Sequence, residues 1–353
     1  MPVRAELERI FRVTVCLRPF RAAGPRLDVE RVGDKTVVHN FGHGGSGWSL
    51  SWGSSSVAVE KAMTFGETNV AVIGCGALGL TSAILLQGAG AKVTICAKER
   101  PPEVRSARAT GSWTPDSRIA LTNSVSPDFP ALWERMCRTS FHTYESYLGM
   151  AGTPVEFTDR YVLSDGNPAE TPANKPPEDT LDFAHYNDRV MDLGPRRRDL
   201  APGSHPFPTR YASSKSSLTF NIAAYSRQLV TDFLIEGGRI ERTEFHSPSD
   251  LNQLAQKVVI DCTGYGARAL WNDESIVPVR GQIAWLIPQP EVNYGVIYNN
   301  LIILGRRDGI VVQDGGPSDM FGYNDANEIP DRAAAEASVM AAADLYRRMA
   351  AKG

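Results

Sequence analysis

Two kinds of hydrophobic patterning alternate along this chain. The first is strand then helix. The apolar run Asn69-Val70 to Ile73 passes through glycines into helical spacing over Leu78 to Gln87, and Lys92 to Cys96 forms the next run. The second is strand after strand. From Gln282 to Val312 four short segments follow one another: Ile283 to Ile287, Val296 to Tyr298, Leu301 to Leu304 and Gly309 to Val312. Near the start, Phe11-Arg12-Val13-Thr14-Val15 and Arg26-Leu27-Asp28-Val29-Glu30 alternate with period two, and Val37-Val38-His39 and Val258-Val259-Ile260 read as short buried strands. Helices are expected at Ser55 to Met63, around Leu132, Trp133, Met136, Tyr147 and Leu148, at Ile222 to Ile235 with Gly237-Gly238 as its stop, and at Ala333 to Met349. Residues 100–130 and 165–210, rich in Pro, Ser, Asp and Arg, read as loop and irregular surface.

Alternating strand and helix is the mark of a parallel sheet, and clustered strands are the mark of an antiparallel one. The expected fold class is therefore α/β. A Rossmann-like domain, a parallel sheet flanked by helices, is interleaved with an α+β domain built on an antiparallel sheet. The boundaries expected are 31-120 plus 205-275 for the nucleotide-binding part, including the 39-63 loop and helix, and 1-30 plus 121-204 plus 276-353 for the substrate part.

Composition narrows the functional classes. A length of 353 residues suffices for two medium domains, and a formal net charge of -3 gives no basic footprint for nucleic acid. No apolar run approaches the roughly 18 residues of a membrane span, and the opening mixes Arg and Glu with apolar residues rather than forming a secretory signal. Five cysteines without a CxxC pair read as reduced thiols of a cytoplasmic protein, and six histidines lack metal spacing, so no metal site is expected. The closing Ala-Ala-Lys-Gly carries no peroxisomal address.

Chemistry first becomes visible at Gly74-Cys75-Gly76-Ala77-Leu78-Gly79. This GxGxxG lies between a buried strand and a helix, which its mechanism requires. Gly74 makes the tight turn, Gly76 admits a pyrophosphate to the backbone, and Gly79 lets helix and strand pack closely. The helix N-terminus then faces the phosphates. The second strand ends in Ala97-Lys98-Glu99, where a ribose hydroxyl is expected to find its acceptor, with positions 98 and 99 both open. This pattern alone does not separate NAD from FAD.

Further motifs resemble the D-amino acid oxidase family. They are Ala109-Thr110-Gly111-Ser112-Trp113, Asp261-Cys262-Thr263-Gly264, Val279-Arg280-Gly281-Gln282 and Asp308-Gly309-Ile310-Val311. The most specific are Leu17-Arg18-Pro19, Gly24-Pro25-Arg26, and His39-Asn40-Phe41-Gly42-His43-Gly44-Gly45-Ser46-Gly47 with Leu50-Ser51-Trp52-Gly53 behind. In the family these last pieces close the chain, whereas here they open it. Residues 1–62 resemble the family's C-terminal stretch and Thr64 onward its start, with Met63 reading as a former initiator. A circularly permuted order predicts that Met1 and Gly353 lie close together. The resemblance spans nearly the whole chain but thinly over residues 115–210.

The resemblance implies FAD as cofactor, with a small amino acid and molecular oxygen as partners. A monomer and a homodimer both stay open. It implies that Gly42, Gly44, Gly45, Ser46, Gly47, Trp48 and Ser49 lie along the flavin, their amides stabilising the charge that a reduced ring develops. Arg105, Ser106, Thr110, Gly111, Ser112, Thr263 and Gly264 would wrap the rest of the cofactor. Arg18 matches the arginine that grips the substrate carboxylate, for which a planar fork is suited. Gly45 matches the carbonyl that meets the amine, and Tyr298 matches the first of two active-site tyrosines. At the second tyrosine's position stands Ile302, with Leu301 in place of the usual proline, and Tyr294 is a candidate substitute from the neighbouring stretch. The implied reaction is oxidative deamination of a D-amino acid to a 2-oxo acid, ammonia and hydrogen peroxide, by hydride transfer from the alpha carbon. The alternatives are a glycine- or sarcosine-type amine oxidase, an enzyme for an unusual amino acid, an NAD-dependent dehydrogenase, and an inert flavin-holding sensor.

Overall fold

The computed structural model describes residues 1–168, 170 and 180–350. In chain order the strands are β1 (Ile10–Arg21), β2 (Val29–Val32), β3 (Lys35–His39), β4 (Asn69–Ile73), β5 (Lys92–Ala97), β6 (Val155–Ser164), β7 (Arg198–Leu200), β8 (Tyr211–Phe220), β9 (Arg239–Arg242), β10 (Val258–Asp261), β11 (Ile276–Leu286), β12 (Tyr294–Tyr298), β13 (Leu301–Arg306) and β14 (Gly309–Asp314). The helices are α1 (Gly47–Met63), α2 (Ala77–Gly88), α3 (Phe129–Glu145), α4 (Ile222–Ile235), the single turn α5 (Ala267–Leu270) and α6 (Arg332–Ala350).

Two sheets divide these strands. One has six strands in the order β2-β3-β10-β4-β5-β9. Its inner pairs are all parallel, and β2 closes one edge antiparallel to β3. Parallel strands need both faces covered, so β3, β4 and β10 are almost wholly buried, with Val37, Val38, Val70 to Ile73 and Val258 to Ile260 as their apolar runs. Helices α1 and α2 cover one face, backed by α3 and α4 in one apolar cluster that includes Leu50, Leu80, Trp133 and Phe233. The other face packs under Leu251, Phe245 and Trp271.

The second sheet has eight strands in the order β1-β11-β14-β13-β12-β6-β8-β7, antiparallel except for the β12–β6 pair. Its side chains alternate. Ala284, Leu286, Ile303, Ile310 and Val312 face α6 and join Val339, Ala342 and Leu345 in a second core. Their neighbours in register, Ile283, Trp285, Leu304 and Val311, form a separate cluster on the opposite face. That opposite face looks toward the parallel sheet.

The expected helix at Ser55 begins at Gly47 instead. Gly and Ser are poor helix formers, which hid the first two turns in the sequence. Packing supplies what propensity lacks. A side chain at Gly53 would strike the α3 backbone at Met136, and the Gly53 amide donates to Ser140 at 2.8 Å. Strand β8 lies in the antiparallel sheet, although the expected boundaries put residues 205–275 with the nucleotide-binding part. Hydroxyl-rich Tyr211–Phe220 has period two without apolar contrast, and only pairing with β6 places it.

The first residues lie against the last described helix. Val3 and Ala5 share a core with Leu345 and Tyr346, and the Tyr294 hydroxyl donates to the Met1 carbonyl at 2.7 Å. Gly353 lies outside the described residues. Among those residues, no helix is long and apolar enough to cross a membrane.

Candidate active site

A cavity of about 1120 Å³ lies between the C-terminal ends of the parallel strands and the free face of the antiparallel sheet. In open α/β sheets, ligands collect at these strand ends. The volume exceeds what a drug-sized ligand needs and leaves room for a dinucleotide with a small molecule beside it.

One end is built from backbone. The turn Gly74-Cys75-Gly76-Ala77-Leu78 lines it. Gly74 has φ +104°, a conformation that favours glycine, and its amide donates to Cys96 at 2.9 Å, which anchors the turn to β5. Gly79 sits behind the turn rather than in the cavity, where any side chain would collide with the Gly74 carbonyl oxygen. The first intrahelical bond of α2 runs from the Leu80 amide to Gly76, so the amides of Ala77, Leu78 and Gly79 precede it. Ser106 takes the Ala77 amide at 3.2 Å, and Thr263 and Gly264 line the wall beside it. Burial pushes the Cys75 thiol up to about 12, so it remains a neutral packing group.

Pairing distinguishes positions 98 and 99. The Lys98 ammonium is held by Glu244 at 2.8 Å. The Glu99 carboxylate also lines the cavity and makes no hydrogen bond or ion pair with a described residue. Glu99 is thus the free acceptor at the end of β5.

The glycine loop enters at the cavity's middle. His43, Gly44, Gly45, Gly47, Trp48 and Ser49 line it. Gly42 and Ser46 do not. Gly42 packs on the Arg21 stem, and the Ser46 hydroxyl donates to the Ser117 carbonyl at 3.2 Å. The Gly44 and Gly45 amides are also spoken for, donating to Pro19 and Ser117 at 2.8 and 2.9 Å. The donors left for a ligand are therefore one turn later than the glycines suggest. Leu50 donates to Ser46 in the first intrahelical bond of α1, so the amides of Gly47, Trp48 and Ser49 have no partner within the helix.

His43 completes this wall. Its Nε2 lies 2.6 Å from Ser54 Oγ, whose own proton goes to Asn40 Oδ1 at 2.7 Å. Nε2 must then be the protonated nitrogen, which leaves Nδ1 as a bare acceptor. That Nδ1 is buried and has no partner among the described residues. Burial holds the ring down to about 3, so it is neutral at ordinary pH. A buried acceptor without a donor, beside unpaired helix amides and a GxGxxG turn, fits a bound dinucleotide whose ring system offers both donors and acceptors.

The other end is built from side chains. Register puts Arg18 on the same sheet face as Cys16, opposite Val279 and Gly281 of β11. Arg18 lies across Gly281, where a β-carbon would come within 2.5 Å of its Nη2. The guanidinium makes no hydrogen bond or ion pair with any described residue, and burial lowers its pKa. Arg118, from the loop beside Ser117, lines the cavity near it, with Nε donating to the Asp319 carbonyl at 2.6 Å. Burial and then the Arg18 charge hold Arg118 below the usual guanidinium range. Arg160 of β6 lines the far side. Between them the floor is Ile283, Ile302, Leu304 and Ile297.

Arg105, Thr110, Gly111 and Ser112 also line the cavity. Arg105 pairs with Glu328 at 2.6 Å, and Thr110 donates to Gln313 at 2.8 Å. Tyr298 is not brought to the cavity. Ile297 faces it, so period two turns Tyr298 toward α6, where its hydroxyl donates to Asp165 at 2.6 Å and accepts from Arg348 at 3.1 Å. Tyr294 lies on the far side as well, bonded to Met1. Sequence reasoning passed over Arg118, Arg160 and Gln313. The first two fall within residues 115–210, where no motif flagged them, and only sheet register shows that Arg160 shares a face with Arg18.

Comparison with known proteins bears on the family and the fold. A family model described as FAD dependent oxidoreductase (DAO) matches residues 69–351. A D-amino-acid oxidase of Rubrobacter xylanophilus is 27% identical over 212 residues, 60% of this chain and 57% of that protein. The chain thus spans less than three fifths of that relative's length. A D-amino acid oxidase of Dugesia ryukyuensis is 26% identical over 275 residues, covering 74% and 73% of the two chains. Among solved structures, an iminodiacetate oxidase from Chelativorans sp. BNC1 aligns with a TM-score of 0.54 at 17% identity, covering 80% of this chain and 79% of that one, a likeness of fold.

Proposed function

This chain belongs to the DAO family of FAD dependent oxidoreductases, and on that premise we propose that it oxidatively deaminates a D-amino acid. The observation that carries the proposal is Arg18, a guanidinium without a partner among the described residues, in the same cavity as the nucleotide turn. A half-buried cation with no counter-ion is costly unless an anion arrives to meet it. A carboxylate fits the planar fork, and holding it fixes where the alpha carbon lies.

The residues that would hold FAD are the Gly74–Leu78 turn, Glu99, Ser106, and the α1 amides of Gly47, Trp48 and Ser49, with His43 Nδ1 as an acceptor. When bound, FAD supplies the two-electron acceptor for the alpha C–H bond and passes the electrons to oxygen. The protein's share is binding and exclusion. Arg18 would orient the carboxylate, Gly45, whose carbonyl would meet the amine, lines the same cavity, and Ile302, Leu304 and Ile297 form an aliphatic floor. Neutral His43 neither gives nor takes a proton near neutrality. The net reaction consumes the amino acid, oxygen and water and yields a 2-oxo acid, ammonia and hydrogen peroxide. Tyr298 has no part in it.

The same reading takes the chain order as rotated. What supports it is that β1 and β3, from the first 62 residues, enter both sheets, while Val3 and Ala5 pack beside Leu345.

The test is a panel of D-, L- and N-methyl amino acids offered to the FAD-loaded protein, with peroxide, ammonia and 2-oxo acid all measured. D-isomers should give the three products in equal amounts. A flavin-loaded protein that is inert on the panel, or that prefers L-isomers or N-methyl amines, would remove this reading.

A further inference from the structure

Gln313 is a polar side chain set among aliphatic ones on the sheet face that walls the cavity. It stands near the end of β14, directly opposite Ile302 of β13, and Ile283 and Leu304 line the same wall. Gln313 is 5% exposed. An amide so enclosed has a carbonyl oxygen and two N–H donors to place. The oxygen is placed, because Thr110 donates to Oε1 at 2.8 Å. That bond fixes the head and directs Nε2 away from Thr110. Nε2 has no acceptor among the described residues, and the residue lines the cavity.

Register brings this amide close to Arg18. Cys16 faces Gly281 across β1 and β11, and the Arg18 head is folded back over Gly281, whose β-carbon would lie 2.5 Å from Nη2 and 2.8 Å from Nη1. In the next strand pair Ala284 faces Val312, which sets Gln313 beside Ile283, two residues along β11 from Gly281. Alternation turns Gln313 to the same face as Val311, which packs with Ile283 and Leu304. The site over which the guanidinium lies and the root of Gln313 are therefore diagonal neighbours on one face, one strand across and two residues along. Such positions are about 8 Å apart, within reach of long side chains. One small ligand can touch both.

We propose that Gln313 is the second grip on the substrate carboxylate: Arg18 meets the carboxylate with its planar fork, and the Gln313 amide donates to the oxygen that lies toward β14. This rests on the reading of Arg18 as the carboxylate anchor. A carboxylate has more lone pairs than one fork fills, and a neutral donor set at an angle to the fork stops rotation about it. Fixing that rotation fixes which substituent of the alpha carbon is presented to the cofactor. The Thr110 bond holds the donor still before the ligand arrives, and the aliphatic Ile302 opposite it offers the carboxylate no competing contact.

The experiment titrates butyrate against the bound flavin's absorbance in the FAD-loaded wild type, Q313E and Q313M, with FAD affinity measured beside it. Q313E keeps the shape and still accepts from Thr110, so it changes only the group aimed at the carboxylate. Butyrate should bind it at least a hundredfold more weakly than the wild type. Q313M, neutral and of similar length, should bind butyrate about tenfold more weakly, and its kcat/KM for a D-amino acid should fall by a similar factor. FAD affinity should stay within twofold in both. Butyrate binding within threefold of the wild type in Q313E, or FAD affinity lost in step with butyrate in both variants, overturns the assignment of Gln313 and leaves the oxidase reading standing. If the wild type turns over no amino acid, the oxidase reading falls, and the butyrate titration of Q313E still decides whether Gln313 grips a carboxylate. A wild type that binds no butyrate overturns the grip itself.

Discussion

The two ends of the cavity hold their ligands by different means. At the parallel sheet the contacts come from backbone: a turn whose Gly74 sits at φ +104°, and first-turn amides of α1 and α2 that precede the first intrahelical bonds. Ionisable side chains there are largely silenced, with His43 held neutral and the Cys75 thiol pushed up. At the antiparallel sheet the contacts come from side chains on a rigid face, and charge is kept rather than removed. The contrast teaches how each end tolerates change. Backbone recognition fixes a cofactor common to many enzymes and fails whenever a glycine gains bulk. Side-chain recognition is set strand by strand, so it can be retuned one position at a time without disturbing the sheet.

The sharpest break falls on the backbone end. Gly79→Val puts a branched side chain against the Gly74 carbonyl, which α2 and β10 leave no room to move. The expected outcome is complete loss of FAD uptake, measured as absence of flavin absorbance after reconstitution and desalting. A yellow G79V protein would mean that the turn is looser than its packing implies. On the side-chain end, Arg18→Ala should leave FAD bound and lower kcat/KM by roughly a thousandfold, the scale of removing one partner of a buried charge pair. Loss of FAD together with activity would merge two ends that the structure keeps apart.

This contrast also decides what was legible in the sequence. The backbone end could be read directly, because GxGxxG and the glycine loop are local patterns whose spacing carries their geometry. Even so, the pattern does not tell which of the loop's amides, from Gly42 to Ser49, stay free for a ligand. The Gly44 and Gly45 amides are consumed by Pro19 and Ser117, which are distant in sequence. The side-chain end was half legible. Arg18 sits in a recognisable motif, but Arg160 emerges only when β6 is placed beside β12, and pairing of that kind depends on register across the whole sheet. The first two turns of α1 escaped for a related reason: their glycines and serines serve contacts with α3, not helix propensity.

Between the two ends lies His43, which belongs electrostatically to the backbone side. Its native pKa is about 3 against an ordinary 6.5. Above pH 6.5 the ring is neutral in both folded and unfolded chains and stability is unaffected. As pH falls below that, the unfolded chain takes up a proton that the folded one refuses, so stability is lost toward pH 3. The loss at pH 5 is on the order of 2 kcal/mol. His43→Gln should therefore flatten the fall in melting temperature of the FAD-loaded protein between pH 7.5 and pH 5. Parallel curves for the two proteins would show that the ring is charged in the native state and that the silencing of this end is incomplete.

The smallest expected effect is the most discriminating, because it separates sequence likeness from sheet geometry. Tyr298 aligns by motif with an active-site tyrosine, yet its strand turns it to the α6 face. Period two makes this all or nothing: if Ile297 looks into the cavity, Tyr298 cannot, and only a one-residue slip of β12 would exchange them. Such a slip would also break the pairs Gly295 makes with Arg160 and Leu304, and take the bare position out from under the Arg160 stem. Tyr298→Phe should thus change kcat/KM less than twofold. It costs at most about 1 kcal/mol of stability through the lost bonds to Asp165 and Arg348. Steady-state kinetics beside a thermal melt check both halves. A tenfold loss of kcat/KM at unchanged stability would place the hydroxyl at the substrate and shift β12 by one residue.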